Sequence, residues 1–297
     1  MTSSNTAASD SISRPARLRA VLASGEFVLA PGVFDMISAK LADRLNFSAL
    51  YMTGYGVVAS HLGLPDAGIA SYTDMVSRVE RIGALTKTPL IADADTGYGG
   101  LLNVHHTVRG YEAAGAAGIQ LEDQEFPKKC GHTPGRRVIA TEDMVRKIHV
   151  ATEARRSEDF LIVARTDARS SLGLVEALRR AEEFQKAGAD ILFIEAPESE
   201  TELEQIGRSF DVPLLVNVVE GGKTPVLSCE RLRALGFRIA IFPATGFLAA
   251  AAALDAAYRA LQAGSSERLQ VPLFNFDDMN RLMGFEEIWE FDRKHAS

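Results

Sequence analysis

Eight short apolar runs, each followed by an amphipathic stretch, limit most strongly what this chain can become. They cover residues 27–30, 49–53, 89–93, 118–122, 161–165, 191–195, 213–217 and 238–243. Most are near-continuous apolar segments without polar alternation, the pattern of parallel strands covered on both faces. The stretches between them have helical period. In residues 174–187, Leu174, Ala177, Leu178, Ala181, Phe184 and Ala187 recur at spacings of three and four, and Gly188 follows where a helix stop belongs. Thr201 with Glu204 reads as a capping box, and Thr73 and Thr141 open similar segments with an acidic residue in the first turn. No Pro- or Gly-rich linker divides the alternation, so the pattern predicts a single (β/α)8 barrel of the α/β class, with a doubly wound open sheet as the alternative.

The chain has 297 residues and a hydrophobic fraction of 46%, enough for a barrel-sized core. Its net charge is −7, which gives no general attraction to nucleic acid or an anionic membrane surface, so an anionic ligand must be caught locally. Cys130 and Cys229 lie far apart in different contexts, arguing against a disulfide framework and for a reducing, cytoplasmic setting. Residues 1–13 lack the layout of a secretory signal and read as a disordered lead-in. The longest apolar run, 247–254, is too short to span a membrane. The predicted organisation is the lead-in, a barrel over residues 14–264 and a helical extension over 265–297. That extension is unusually aromatic, with Phe274, Phe276, Phe285, Trp289 and Phe291, and reads either as a surface for another subunit or as a helix closing its own barrel.

Polar and charged residues recur at the carboxyl ends of the runs: Thr53, Asp93 with Asp95, Glu122, Arg165 with Asp167, Glu195, Asn217 and Thr245. In a barrel these ends converge on one mouth. Asp93, Asp95, Glu122 and the loop residue Asp66 are too many carboxylates to leave unpaired in a dry site, and an all-oxygen set favours Mg²⁺ or Mn²⁺ over zinc. His105 and His106 are adjacent in a helical stretch and read as surface residues, while His61 stays open. Arg165 has the fork needed for a substrate carboxylate, its alternative being a salt bridge to Asp167. Glu195 and Asn217 could fix substrate oxygens from the far side of the mouth.

The segment 121–132, LEDQEFPKKCGH, then delivers a thiol and an imidazole beside these carboxylates. Cys130 stands among Lys128, Lys129 and His132, surroundings that favour a thiolate over an inert buried cysteine. A cation chelating an α-oxygen and a carboxylate, with a mobile thiol to move a proton, suits cleavage of a carbon–carbon bond next to a carboxylate.

The motifs LGLPDAG, DADTGYG, LEDQ, KKCGH, ARTDA and VEGGKTP resemble the isocitrate lyase and phosphoenolpyruvate mutase superfamily, from about residue 31 to the C-terminus. The resemblance implies a barrel that is often a tetramer with exchanged C-terminal helices. It implies Mg²⁺ near Asp93, Asp95 and Glu122, with Asp66 in the outer shell. KKCGH points to the cysteine-containing branch, whose closing loop carries the residue that protonates an enediolate, here Cys130, with His132 beside it. Tyr51 or a metal-bound water is the candidate for taking the substrate hydroxyl proton. Candidate substrate contacts are Thr53, Gly54, Tyr55, Asp93, Lys129, Gly131, Arg165, Glu195, Asn217 and Pro243.

Two departures bear on the substrate. Pro243 stands where oxaloacetate hydrolases of the family place a serine, and PATGFL replaces a PLSAFR-like pattern whose arginine would hold a third carboxylate. The resemblance therefore implies a Mg²⁺-dependent lyase of the 2-alkylmalate or 2-methylisocitrate type, acting on a small di- or tricarboxylate. A hydrolase or carboxyphosphonoenolpyruvate phosphonomutase on the same site is the alternative, and a dicarboxylate-binding inactive barrel the non-enzyme one.

Overall fold

All six residues of the run 161–166 are buried, as in a strand covered by a helix layer outside and by barrel core within. The same holds for the other strands except at Leu29, Pro31 and Phe242, which are half-buried. The structure, a computed structural model, describes residues 12–131, 133, 135–264 and 270–296. The strands are β1 (Val28–Val33), β2 (Leu50–Met52), β3 (Leu90–Asp93), β4 (Gly118–Glu122), β5 (Leu161–Thr166), β6 (Ile191–Ile194), β7 (Leu214–Asn217) and β8 (Ile239–Phe242). They pair in parallel in sequence order, and β8 closes on β1, giving the expected (β/α)8 barrel. The lead-in expected over residues 1–13 lies outside the described residues up to residue 11, and Ser13 caps the helix Arg14–Ala23.

Leu18 and Leu22 of that helix join one apolar cluster with Val28, Ala49, Ala117, Leu161 and Ile191, at or next to strand starts. The N-terminal helix thus covers the barrel floor. Higher in the same cluster lie Tyr51, Ile91, Val163, Phe193, Leu215 and Ile241.

Helix starts differ from the sequence reading where a nearby serine offers the better cap. The helix Glu200–Gly207 is capped by Ser199, which accepts from the Glu202 amide, rather than by Thr201. The helix Tyr72–Leu85 begins at Ser71 in a reciprocal box with Asp74, rather than at Thr73. In both, the serine hydroxyl reaches the third amide of the helix, the geometry a cap requires. The helices Thr141–Ala154 and Leu174–Lys186 lie where the periodicity puts them.

Two compact units divide at residues 246 and 247, earlier in the chain than the boundary expected after residue 264. In the second unit Asn275 caps the helix Phe276–Met283, Gly284 separates it from the helix Phe285–His295, and the rings of Phe285 and Trp289 lie 6.0 Å apart. None of the residues of these two helices is buried.

Candidate active site

β3 and β4 run side by side, with Asp93 opposite Gln120, so Asp93 and Glu122 emerge at the same end of the barrel. The turn after β3 places Asp95 at φ 49 and lets its amide donate to Asp93 Oδ1 at 3.0 Å. Asp93, Asp95 and Glu122 are all buried. Burial is the largest influence on each and raises it above the ordinary carboxylate range, Asp95 to about 7. Such a group of acids needs positive charge beside it.

That charge comes from Lys128, on the segment leading to Cys130. Its ammonium binds Asp66 and lies 2.7 Å from Asp95 Oδ1. Burial works against the ammonium, but Asp95, Asp66, Glu122 and Asp93 together hold its pKa well above the usual lysine value. Among the described residues no three His, Cys, Asp or Glu side chains are gathered as a ready-made metal cage. Lys128 supplies the physical reason, since it stands between two of the acids. Asp95 Oδ1 has the Lys128 ammonium as its polar partner. A buried set of carboxylates that outnumbers its one ammonium fits a hard cation such as Mg²⁺.

Gln120, fully buried inside β4, donates to Asp93 Oδ1 at 3.2 Å and accepts from the Tyr51 hydroxyl at 2.7 Å. Burial first, then Asp93, raises the Tyr51 phenol well above its ordinary value. Tyr51 therefore keeps its proton and acts as a donor, which does not support its expected role as the base. Gly54, the first residue of the helix Gly54–Leu62, has to be small, because a Cβ there would stand 2.5 Å from Asp93 Oδ2. Thr53 caps that helix, and Tyr55 projects from it partly exposed.

Arg165 on β5 directs its fork at Asp167, with Nε and Nη2 each 2.9 Å from a carboxylate oxygen, and its Nε is 3.4 Å from Glu122. The salt-bridge alternative read from the sequence is thus formed. The guanidinium also lies 5.1 Å from the Phe193 ring centroid. Glu195 follows β6 and is fully buried, and Asn217 at the end of β7 donates to it at 3.3 Å. Pro243 follows β8, close enough to β1 that a Cβ on Gly32 would meet it at 2.6 Å.

The cysteine segment lies against this mouth. Cys130 donates its amide to the Asp66 carbonyl at 3.1 Å. Gly131 is buried, and a Cβ on it would overlap Glu195 Oε1 and stand 2.6 Å from Arg165 Nη2. Lys129 is exposed, its amide donating to Gln124 and its ammonium to the Gly135 carbonyl. His132 lies outside the described residues. His105 and His106 are exposed on the helix Leu101–Ala113, as expected, and His61 meets Arg78 at 2.7 Å.

The sequence reading took Lys128 only as positive charge beside Cys130 and assigned no site role to Gln120, Gln124 or Arg136. Gln120 carried a signal, a polar residue inside the apolar run GIQLE. Gln124 donates to Glu122 and to the Lys129 carbonyl, each at 2.9 Å, joining the acid cluster to the cysteine segment.

Comparison with known proteins identifies the family. Residues 18–262 match the phosphoenolpyruvate phosphomutase family. The chain is 46% identical to 2,3-dimethylmalate lyase of Eubacterium barkeri, over 95% of this chain and 98% of that one. It is 41% identical to 2-methylisocitrate lyase of Aeropyrum pernix, over 93% and 89% of the two chains. Among solved structures, oxaloacetate acetylhydrolase with 3,3-difluorooxalacetate superposes with a TM-score of 0.90 at 36% identity, covering 96% of this chain and 98% of that one. Phosphonopyruvate hydrolase with oxalate and Mg²⁺ superposes at 0.85 with 30% identity, covering 96% and 100%. With these motifs set on a closed eight-stranded barrel, the chain belongs to the phosphoenolpyruvate mutase and isocitrate lyase superfamily.

Proposed function

We propose that this protein is a carbon–carbon lyase that cleaves a 2-hydroxy di- or tricarboxylate of the 2-alkylmalate or 2-methylisocitrate type into a 2-oxo acid, such as pyruvate, and a second carboxylate. The observation that carries this reading is the buried acid cluster of Asp93, Asp95 and Glu122, met by the segment that bears Cys130 and facing Arg165. The named lyases among its relatives support it.

Asp93, Asp95 and Glu122, with Asp66 behind them, would hold Mg²⁺ or its substitute Mn²⁺, whose charge stabilises the oxyanion and enediolate that form as the bond breaks. Arg165 takes a substrate carboxylate, while Glu195 and Asn217 orient the far end. A water beside the acid cluster would take the substrate hydroxyl proton, and the oxygen left behind becomes the 2-oxo group. The carbon–carbon bond breaks, and its electron pair stays on the departing fragment as an enediolate. Cys130, with His132 two positions on in the sequence, donates a proton to that carbon. Gly131 and Lys129 close the site over these groups, which excludes water from the enediolate. Thr53, Gly54 and Tyr55 border the substrate beside Asp93.

A dicarboxylate is the better substrate, because residues 243–248 carry no arginine for a third carboxylate. Hydrolysis of oxaloacetate is the second reading, favoured by the superposition on oxaloacetate acetylhydrolase. Pro243 offers it no hydroxyl. The exposed aromatic face of the second unit supports assembly with further copies, a tetramer by the resemblance, which light scattering would test. No helix among the described residues is long and apolar enough to cross a membrane; we place the enzyme in the cytoplasm.

The test is a panel of malate, 2,3-dimethylmalate, isocitrate, 2-methylisocitrate and oxaloacetate, scored by product mass with and without EDTA. A 2-oxo acid released from an alkylated malate, and lost with EDTA, is the expected result. Full turnover after divalent ions are stripped, or oxalate and acetate from oxaloacetate alone, would overturn the reading.

A further inference from the structure

Asp167 is fully buried and serves two arginines at once. Arg165 reaches both of its oxygens at 2.9 Å, and Arg136 Nη1 reaches Oδ1 at 2.5 Å. Arg136 comes from the far stem of the cysteine segment, a place set by backbone pairing. The Glu125 amide donates to the Arg137 carbonyl and the Ile139 amide to the Asp123 carbonyl, each at 2.9 Å, and Gln124 bridges to Val138 between them. The Arg136 side chain is almost wholly buried, and its Nη2 donates to Ser170 at 2.6 Å. Its Nε makes no hydrogen bond, so the guanidinium is committed to Asp167 and Ser170.

We propose that Arg136 is a positioning residue for Arg165: by sharing the Asp167 carboxylate it weakens the internal hold on the Arg165 guanidinium and so sets how strongly Arg165 takes a substrate carboxylate. The inference rests on the reading of Arg165 as the carboxylate clamp. Its physical basis is charge division. Asp167 divides its charge between two guanidiniums, while Glu195 and Glu122, the latter 3.4 Å from Arg165 Nε, add to the anionic surroundings that an incoming carboxylate meets at Arg165. Without Arg136 the whole charge of Asp167 falls on Arg165 as a bidentate pair, with which an incoming carboxylate must compete. The arrangement also ties the clamp to the closing segment, because Gly131 faces Arg165 Nη2 while Arg136 holds the counter-ion of that same arginine.

The test compares Arg136→Gln, Arg136→Lys and the Arg136→Gln/Asp167→Asn double variant, using the substrate found with the panel and oxalate as a competitive inhibitor. Arg136→Gln is expected to raise KM and the oxalate inhibition constant about tenfold, with kcat within about threefold of the parent, because only the charge balance at the clamp changes. Arg136→Lys, which keeps the charge, should stay near the parent, and the double variant should recover most of the lost affinity. A fall in kcat with KM and oxalate inhibition unchanged would make Arg136 a structural tie and overturn the proposal. If Arg136→Gln does not fold, the double variant, which removes both charges, carries the test: oxalate affinity far below the parent's overturns the proposal. Arg165→Met is the control for the underlying reading. If it leaves KM unaltered, the clamp assignment itself fails, an outcome distinct from an inert Arg136.

Discussion

Lys128 Nζ lies 2.7 Å from Asp95 Oδ1 and also binds Asp66, so the acids behind β3 are neutralised by an ammonium on the segment that carries Cys130. The position of that segment and the charge of the acid cluster are therefore linked. A divalent cation entering among these carboxylates meets a resident positive charge.

Replacing Lys128 by Met removes that competitor. Without substrate, Mn²⁺ followed by electron paramagnetic resonance is expected to bind about tenfold tighter to Lys128→Met than to the parent, since a nearby buried like charge disfavours a cation. Turnover should fall in the same variant, because the segment loses its anchor. Weaker Mn²⁺ binding would show that Lys128 supports the cation site.

Gly131 is the point where this segment touches the mouth, and a methyl group there would collide with Glu195 and Arg165. Gly131→Ala is expected to reduce kcat/KM about a hundredfold, on the scale of a misplaced closing group. Its melting temperature should be nearly that of the parent, because the collision can be relieved by opening the segment. Parent-like kcat/KM would mean that the segment does not close against these two residues during turnover.

The thiol can be tested separately. Cys130→Ser preserves the backbone bond from residue 130 to the Asp66 carbonyl and should still bind oxalate, while kcat falls by about 10²–10⁴, the range for loss of a proton-transfer group. Unchanged turnover would remove the cysteine from the chemistry.

One pH effect concerns stability. Hydrogen bonds from Arg179 first, and then from Arg180, hold the Glu176 carboxyl down at about 2, against an ordinary value of 4.5. Because the folded value is the lower one, the contribution is complete above about pH 4.5 and is lost as pH falls toward 2. Glu176 is 27% exposed and its partner Arg179 52%, so solvent screening holds the contribution to about 1 kcal/mol or less. Glu176→Gln should therefore melt slightly below the parent at pH 7, with the gap narrowing steadily below pH 4.5. A gap that widens on acidification would contradict this sign.

The division between what was legible in the sequence and what was not follows a physical line. Strands buried on both faces must be apolar nearly throughout, so residues 118–122 and 161–165 announced β4 and β5 almost to the residue. Closure in sequence order then obliges Asp93, Glu122, Arg165, Glu195 and Asn217 to share one mouth, which is why a list of strand ends was already a list of site candidates. Caps were less legible, because Ser71 and Thr73, or Ser199 and Thr201, are equally good hydroxyl acceptors in a string and only the backbone path selects one. Apart from Arg165 with Asp167, two positions apart, the pairing of charges was not legible. Lys128 reaches Asp66 across 62 positions and Arg136 reaches Asp167 across 31, distances over which residue order carries no trace of the partner. Buried ions must find a counter-charge wherever the closed barrel brings one. Residue types alone thus determined the barrel and the location of its acids, whereas which cation answers which acid was decided by tertiary closure.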